Sequence, residues 1–212
     1  MRLLRLLAIL LLPLALAACG HNREPPPWSG DAEVAAARYE KGPPTSLTLI
    51  TVVDNVGGRG DHAGLIINAS ERVIYDPAGS FRHPRLPHRN DVIFGFSDAA
   101  KEVYVNFHVR ESHHMVIQRL IVPPEVAERA LQAALAESKA RPGQCAIKTA
   151  AILNAAGINA PRTWWPKSQM EAFAEIPGVE IEWRIDPGVV PNRLGLDRTR
   201  HIDRLNAQVA MN

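Results

Sequence analysis

Cysteine is scarce in this chain, which has two in 212 residues, Cys19 and Cys145. Two cysteines allow at most one disulfide bond. An excess of one charge is also lacking, since the formal net charge is +2 and no Lys/Arg-rich run with interleaved aromatic residues occurs. This absence argues against a nucleic-acid partner. A long hydrophobic run is missing as well, because the apolar stretch 6–18 is too short for a comfortable membrane span.

The N-terminal residues have the pattern of a secretory leader. Two arginines precede the apolar run, which ends in small residues just before Cys19, and this arrangement resembles a bacterial lipoprotein signal. We expect residues 1–18 to be a signal peptide whose removal makes Cys19 the lipidated N-terminus; an uncleaved signal anchor is the alternative. The resemblance, with Gly20 after the cysteine, implies a lipid-anchored protein at the periplasmic face of the outer membrane. With Cys19 acylated, no intramolecular disulfide can form, and Cys145 is the remaining thiol.

The rest of the chain is long enough for one domain with a hydrophobic core. Residues 19–45 read as a proline-rich linker that contains a short alanine-rich helix, and residues 46–212 as the folded domain. Periodicity and β-branched content predict strands at 47–53, 63–67, 73–75, 92–96, 103–109, 115–122 and 179–184. Helical spacing predicts helices from Pro124 to the stop at 142–143, from Cys145 to Ala156, and from 167 to 174.

Cys145 lies where the second of these helices is predicted to begin. The N-terminal end of a helix carries a partial positive charge and unpaired N–H groups, which favour a thiolate and can stabilise an oxyanion. The helix has only Lys148, Thr149 and Asn154 as polar residues, so it should be largely buried. The position therefore suits a nucleophile, although a small buried cysteine is the simpler interpretation of this residue alone.

His62 opens a predicted strand and shares a strand face with Gly64. If the following hairpin turns about Ala69, Asp76 lies opposite His62 on the same face, and Asp61 is the alternative carboxylate. A thiol nucleophile needs a base, and the base needs a polar group that orients it. We therefore predict His62 as the base and Asp76 as the group that orients it.

These residues together carry a family resemblance. Four features follow one another along the chain: a strand that begins His-x-Gly, a hairpin that ends in a polar residue, a helical insert, and a buried helix led by Cys145 with the run C-A-I-K-T-A-A-I-L-N-A-A-G. In this order they resemble the circularly permuted papain-like hydrolases. That group includes the NlpC-like, YaeF/YiiX and lecithin:retinol acyltransferase branch. The resemblance implies an α+β fold, in which an antiparallel sheet packs against the cysteine helix. It assigns Cys145 as nucleophile, His62 as base and Asp76 as third member, with Gln144 in the position where such proteins often have asparagine.

The predicted function is an envelope-anchored cysteine hydrolase that works through a thioester. Peptidoglycan stem-peptide amides are the leading substrate; a lipid esterase or acyltransferase and a non-catalytic binding lipoprotein are the alternatives. The backbone N–H of Cys145 and the side chain of Gln144 are the expected oxyanion donors. The pair Trp164 and Trp165 is a candidate substrate contact that could stack on a sugar or an acyl chain, with core packing or a membrane-facing patch as the alternatives. We expect no cofactor and no metal, because the histidines between 108 and 114 lack zinc-site spacing. A monomer is expected.

Overall fold

A computed structural model describes residues 28–188. The predicted signal peptide, residues 1–18, and the predicted lipidation site, Cys19, lie outside the described residues. Within residues 28–188, none of the helices combines the length and the apolar character that a bilayer crossing requires.

The described residues form an α+β fold around one seven-stranded antiparallel sheet in the order β4-β5-β3-β2-β1-β6-β7. Its strands are β1 (Ser46–Asp54), β2 (Gly60–Asn68), β3 (Arg72–Tyr75), β4 (His88–Arg89), β5 (Val92–Ile93), β6 (His113–Ile121) and β7 (Val179–Arg184). Strand β1 lies at the centre and pairs along its length with β2 and β6. The sheet agrees with the predicted fold class, although the predicted strand 92–96 is paired only over Val92 and Ile93.

Five helices accompany the sheet within residues 28–188: α1 (Asp31–Ala37), α2 (Asp98–His108), α3 (Pro124–Ala136), α4 (Cys145–Ala155) and α5 (Pro166–Ala174). Helix α1 lies in the predicted linker. The segment around α1 contacts the domain directly, since Arg72 N–H donates to the Tyr39 carbonyl at 2.8 Å and Arg89 Nε donates to the Ser29 carbonyl at 2.9 Å. The part of this segment that contains Ser29 and Tyr39 therefore packs against the domain.

The sheet has a hydrophobic core on each face. One face packs against α3, α4 and α5 through residues such as Leu65, Leu153 and Phe173. The opposite face packs against α2 through residues that include Ile66 and Tyr104. Because successive side chains of a strand point to opposite faces, β2 contributes to both cores. His62, Gly64 and Ile66 of β2 belong to the α2 face, whereas a bulge before His62 places Gly60 on the opposite face, against α5.

Helix α2 replaces a predicted strand at 103–109, and that prediction was wrong. The β-branched and aromatic residues of this segment favour a strand locally. The helix nevertheless begins after Ser97, whose Oγ accepts a hydrogen bond from the Ala100 N–H at 3.2 Å and caps the first turn. Its buried residues include Ala100, Tyr104 and His108, which are four residues apart. Burial along one helical face therefore outweighs the local strand preference.

The β2–β3 hairpin turns about Ser70, not about Ala69 as predicted. Leu65 pairs with Tyr75, so the register differs from the predicted one by two residues. The turn accounts for the difference, because the Ala69 N–H donates to the Glu71 carbonyl at 3.1 Å and closes a three-residue loop.

A shift of two residues leaves every side chain on its original face, because strand side chains alternate with a period of two. Asp76, which directly follows β3, therefore remains on the face of His62. Continuing the register places Asp76 opposite Gly64 rather than opposite His62, so the imidazole and the carboxylate are diagonal neighbours.

Candidate active site

The side chains of His62 and Asp76 meet on the α2 face of the sheet. The His62 Nε2 lies 2.7 Å from the Asp76 Oδ1. The carboxylate side chain is fully buried and the imidazole is 15% exposed. With the Nε2–H donated to the carboxylate, Nδ1 is the ring nitrogen that can exchange a proton with another group.

Cys145, the first residue of α4, provides that group. Its thiol is close enough to the His62 side chain and to the backbone N–H groups of Ala63 and Ala146 for all three to lower its pKa. The Ala146 N–H is among those at the start of α4 that have no partner within the helix. The Ala63 N–H is accessible because β3 ends opposite Leu65 while β2 continues beyond it. The thiol therefore lies at an open edge of the sheet, where it can reach a side chain on the α2 face.

The electrostatics of the three groups favour separated charges. Burial raises the pKa of the Cys145 thiol, but the neighbouring His62 ring, through its polar N–H and its positive charge, outweighs burial and lowers that pKa overall. Burial lowers the pKa of His62, and the Asp76 carboxylate, with a smaller contribution from Cys145, reverses this and raises the pKa to about 10. Burial likewise raises the pKa of Asp76, and the charge of His62 outweighs it, so the pKa is lowered. The arrangement therefore supports a thiolate beside an imidazolium.

Helix α5 supports the first turn of α4. Gln169 is fully buried and its Nε2 donates to the Ala146 carbonyl at 3.1 Å. Thr149 Oγ1 donates to the Cys145 carbonyl at 2.7 Å. This hydrogen bond occupies one backbone acceptor of the same turn. Sequence reasoning missed Gln169, because a glutamine in a short helix carries no signal that distinguishes a buried residue from an exposed one.

The glycine-rich loop before β2 packs closely against the start of α5. The Asp54 carboxylate accepts hydrogen bonds from the N–H groups of Val56 and Gly57, which closes the loop. A Cβ on Gly60 would lie 2.4 Å from the Lys167 backbone N, so only glycine permits this contact. This contact joins the strand that carries His62 to the first residues of α5.

Two other predicted site residues, Asp61 and Gln144, make their hydrogen bonds with residues outside this centre. The Asp61 Oδ2 is 3.1 Å from the His113 Nε2, so this carboxylate is directed towards β6. The Gln144 Oε1 accepts from the Arg141 N–H at 2.9 Å, which holds the side chain against the loop before Cys145.

Trp164 and Trp165 precede α5 and are 55% and 70% exposed. They directly precede Pro166 and Lys167, whose backbone packs against Gly60 at the start of β2. Their indole rings are therefore available to a ligand that approaches along this side.

Helix α2 adds two residues that sequence reasoning missed. The Tyr104 hydroxyl donates to the Asp76 Oδ1 at 2.6 Å. The His108 ring stacks on His62, with centroids 5.8 Å apart and planes 9° apart. Burial lowers the pKa of His108, and its Nδ1–H donates to the Tyr104 carbonyl at 2.9 Å. Ala100, Tyr104 and His108 follow the Ser97 cap at intervals of four residues, and this helical spacing is the sequence signal that could have revealed both residues.

No group of three or more His, Cys, Asp or Glu side chains within residues 28–188 is arranged to hold a metal ion. The histidines of the 108–114 segment contact separate partners: His113 meets Asp61, and the His114 Nδ1 lies 2.6 Å from the Asn55 Oδ1. A groove of about 300 Å³ lies on the α2 face near Ser46, at the opposite end of the strands from His62, and its lining contains no cysteine or histidine.

Comparison with known proteins does not assign the chain to a family. No protein-family model, no curated protein and no solved structure matches it. The chemistry of the site therefore has to follow from the contacts of Cys145, His62 and Asp76.

Proposed function

We propose that this protein is a cysteine hydrolase with a circularly permuted papain-like, NlpC-like fold, and that it cleaves amide bonds by acyl transfer. The observation that carries the proposal is that the Cys145 thiol and the His62 imidazole are close enough to act on each other's pKa, while the His62 Nε2 lies 2.7 Å from the Asp76 Oδ1. The three groups come from β2, from the residue that follows β3 and from the start of α4, and perturbed ionisable groups gathered in this way are typical of catalytic sites. The order of histidine before cysteine and the antiparallel sheet beside α4 support the fold assignment.

In the proposed reaction the Cys145 thiolate attacks the carbonyl carbon of an amide. The oxyanion that forms is stabilised by the Cys145 N–H, with the Nε2 end of the Gln144 amide as a second donor, since the Oε1 end is held by Arg141. His62 then gives its proton to the leaving amine as the C–N bond breaks, which leaves a thioester. Water adds to the thioester with His62 as base, the C–S bond breaks, and the carboxylic acid and the starting thiolate–imidazolium pair are released.

Peptidoglycan stem peptides are the substrate class that the surroundings of the site favour. The Asp91 carboxylate accepts from the Ala140 N–H at 2.6 Å, five residues before Cys145. Arg82 and Lys139 are both close enough to this carboxylate to act on its pKa. The segment that leads to the nucleophile therefore carries the Lys139 cation and is held by a carboxylate on which the charge of Arg82 also acts, and these positive charges would attract a peptide with free carboxylates. The lipoprotein-like leader and Cys19 support a lipid-anchored location at the periplasmic face of the outer membrane, where such peptides occur.

Two other functions are favoured by particular observations. The exposed pair Trp164 and Trp165 suits an esterase or acyltransferase that acts on lipids, because indole rings pack well against acyl chains. The low exposure of Cys145, 6%, suits a binding protein without catalysis.

Thiol reactivity separates a catalytic from a structural cysteine. We expect iodoacetamide at pH 6 to alkylate Cys145 rapidly, and His62→Ala to slow this reaction by about 100-fold because the thiolate loses its partner. His83→Ala, which removes another histidine, is the matched control and should leave the rate unchanged. Mass spectrometry of the peptide that contains Cys145 assigns the label. A thiol that stays unreactive until the protein is denatured would contradict the proposal.

The substrate class is tested by incubation of the purified protein with peptidoglycan and, separately, with phospholipid vesicles. Mass spectrometry should detect new amine and carboxylate ends in the peptidoglycan sample, and Cys145→Ala, with folding verified by circular dichroism, should abolish them. Products from the phospholipid sample alone would favour the lipid esterase instead.

A further inference from the structure

We infer that Tyr104 is a positioning residue of the site, which holds the Asp76 carboxylate in the orientation that His62 requires. This inference rests on the proposed function, because it concerns the same site. Tyr104 belongs to α2 and not to the strands or to α4, so it makes α2 a structural part of the active site. Its hydroxyl donates to Asp76 Oδ1 at 2.6 Å, and this same oxygen lies 2.7 Å from the His62 Nε2.

The second carboxylate oxygen of Asp76 makes the role of Tyr104 specific. Within the described residues, Oδ2 is buried and has no hydrogen-bond partner. The orientation of the carboxylate therefore depends on the two donors that converge on Oδ1. If the Tyr104 hydroxyl were absent, His62 alone would hold a fully buried charged group, and the carboxylate could rotate about its Cβ–Cγ bond.

The Tyr104 ring is itself fixed by packing. It meets Phe81 edge to face with centroids 5.0 Å apart and Phe96 with centroids 5.8 Å apart. The ring of His108 lies 4.3 Å away on the same helix. Tyr104 is fully buried, so its hydroxyl has one accessible position, and that position is beside Asp76.

Two glycines provide the space for this contact. A Cβ on Gly64 would lie 3.3 Å from the Tyr104 hydroxyl oxygen, which is closer than most real contacts. A Cβ on Gly79 would overlap the Asp76 carboxylate, at 1.8 Å from Oδ2. The glycine in the His-x-Gly pattern at the start of β2 therefore has a physical reason, since it leaves room above the strand for the hydroxyl–carboxylate pair.

Tyr104→Phe tests the inference, because it removes one hydroxyl and keeps the ring that packs between Phe81 and Phe96. We expect the alkylation rate of Cys145 by iodoacetamide at pH 6 to fall about tenfold, since a hydrogen bond to a charged group is lost. The acidic end of the pH–rate profile should also move to higher pH, because Asp76 loses a donor that favours its charged form. A residue with only a packing role would not move this profile.

Tyr75→Phe is the matched control. Tyr75 adjoins Asp76 in sequence and is fully buried, and its hydroxyl has no hydrogen-bond partner among the described residues. Its removal should leave both the rate and the profile unchanged. Gly64→Ala should slow alkylation in the wild-type background and have a smaller effect in Tyr104→Phe, because the hydroxyl that its Cβ crowds is then absent.

NMR of the His62 ring separates failure of this inference from failure of the proposed function. The Nε2 proton resonance should shift in Tyr104→Phe and not in Tyr75→Phe, whether or not Cys145 is reactive. An unreactive wild-type thiol would contradict the proposed hydrolase alone. An unchanged His62 ring resonance in Tyr104→Phe would overturn the positioning role, even in an active enzyme.

Discussion

The His62 Nε2 contacts the Asp76 Oδ1 at 2.7 Å across a diagonal of the β2–β3 hairpin. Asp76 lies opposite Gly64 in the register, two residues along β2 from His62. Diagonal neighbours on one face of an antiparallel pair are within reach of an aromatic side chain such as the imidazole of histidine. Because Gly64 has no side chain, nothing stands between the ring and the carboxylate.

The Asp76 carboxylate is expected to be necessary for the reactivity of Cys145. In Asp76→Asn the amide cannot stabilise a positive imidazolium, and its NH₂ group can stabilise the wrong imidazole tautomer. We expect alkylation at pH 6 and hydrolysis of a stem peptide each to fall at least about 100-fold. Asp61→Asn removes the neighbouring carboxylate, which contacts His113, and should change either rate by less than about twofold. Equal losses in the two variants would argue against the assigned pair.

The same pair should make stability depend on pH. The pKa of His62 is raised in the folded protein, so its stabilising contribution is fully present below about pH 6.5 and is lost as the pH rises towards about 10. The pKa of Asp76 is lowered, so its contribution is present above about pH 4 and is lost at lower pH. The free energy of unfolding in urea should therefore differ most between wild type and Asp76→Asn from about pH 4 to 6.5, by roughly 3 kcal/mol. A difference that is greatest near pH 10 would show that the charged pair is not its source.

The exposed tryptophan before α5 should contribute to substrate binding and little to folding. Trp165 is 70% exposed, so Trp165→Ala should leave the melting temperature nearly unchanged. If its ring contacts the substrate, KM should rise roughly threefold to tenfold with kcat unchanged, as expected for loss of an aromatic contact. Trp28→Ala is the control, because Trp28 is 63% exposed and packs over Arg89 away from α5. Identical KM values for both variants and wild type would remove Trp165 from the binding surface.

Local patterns predicted most of the elements that carry the three central residues. The alternation of side chains between the two faces of β2 and the start of α4 at Cys145 are set by residues close in sequence, and both predictions agree with the structure. The face shared by His62 and Asp76 also follows from alternation alone, and it survived an error of two residues in the hairpin register. Strand 103–109 was predicted wrongly because its local preference for β structure is outweighed by burial of Tyr104 and His108 along one side of α2.

The sequence by itself determined the positions of the thiol, the imidazole and the carboxylate on their elements, because helix starts and strand faces are set by short-range periodicity. Only the tertiary structure decided which groups touch. It directed Asp61 to His113, brought Tyr104 to Asp76, and placed Gln169 beneath the first turn of α4. Such contacts join residues 23 to 52 positions apart, and they depend on how the helices pack on the two sheet faces, which no local pattern specifies.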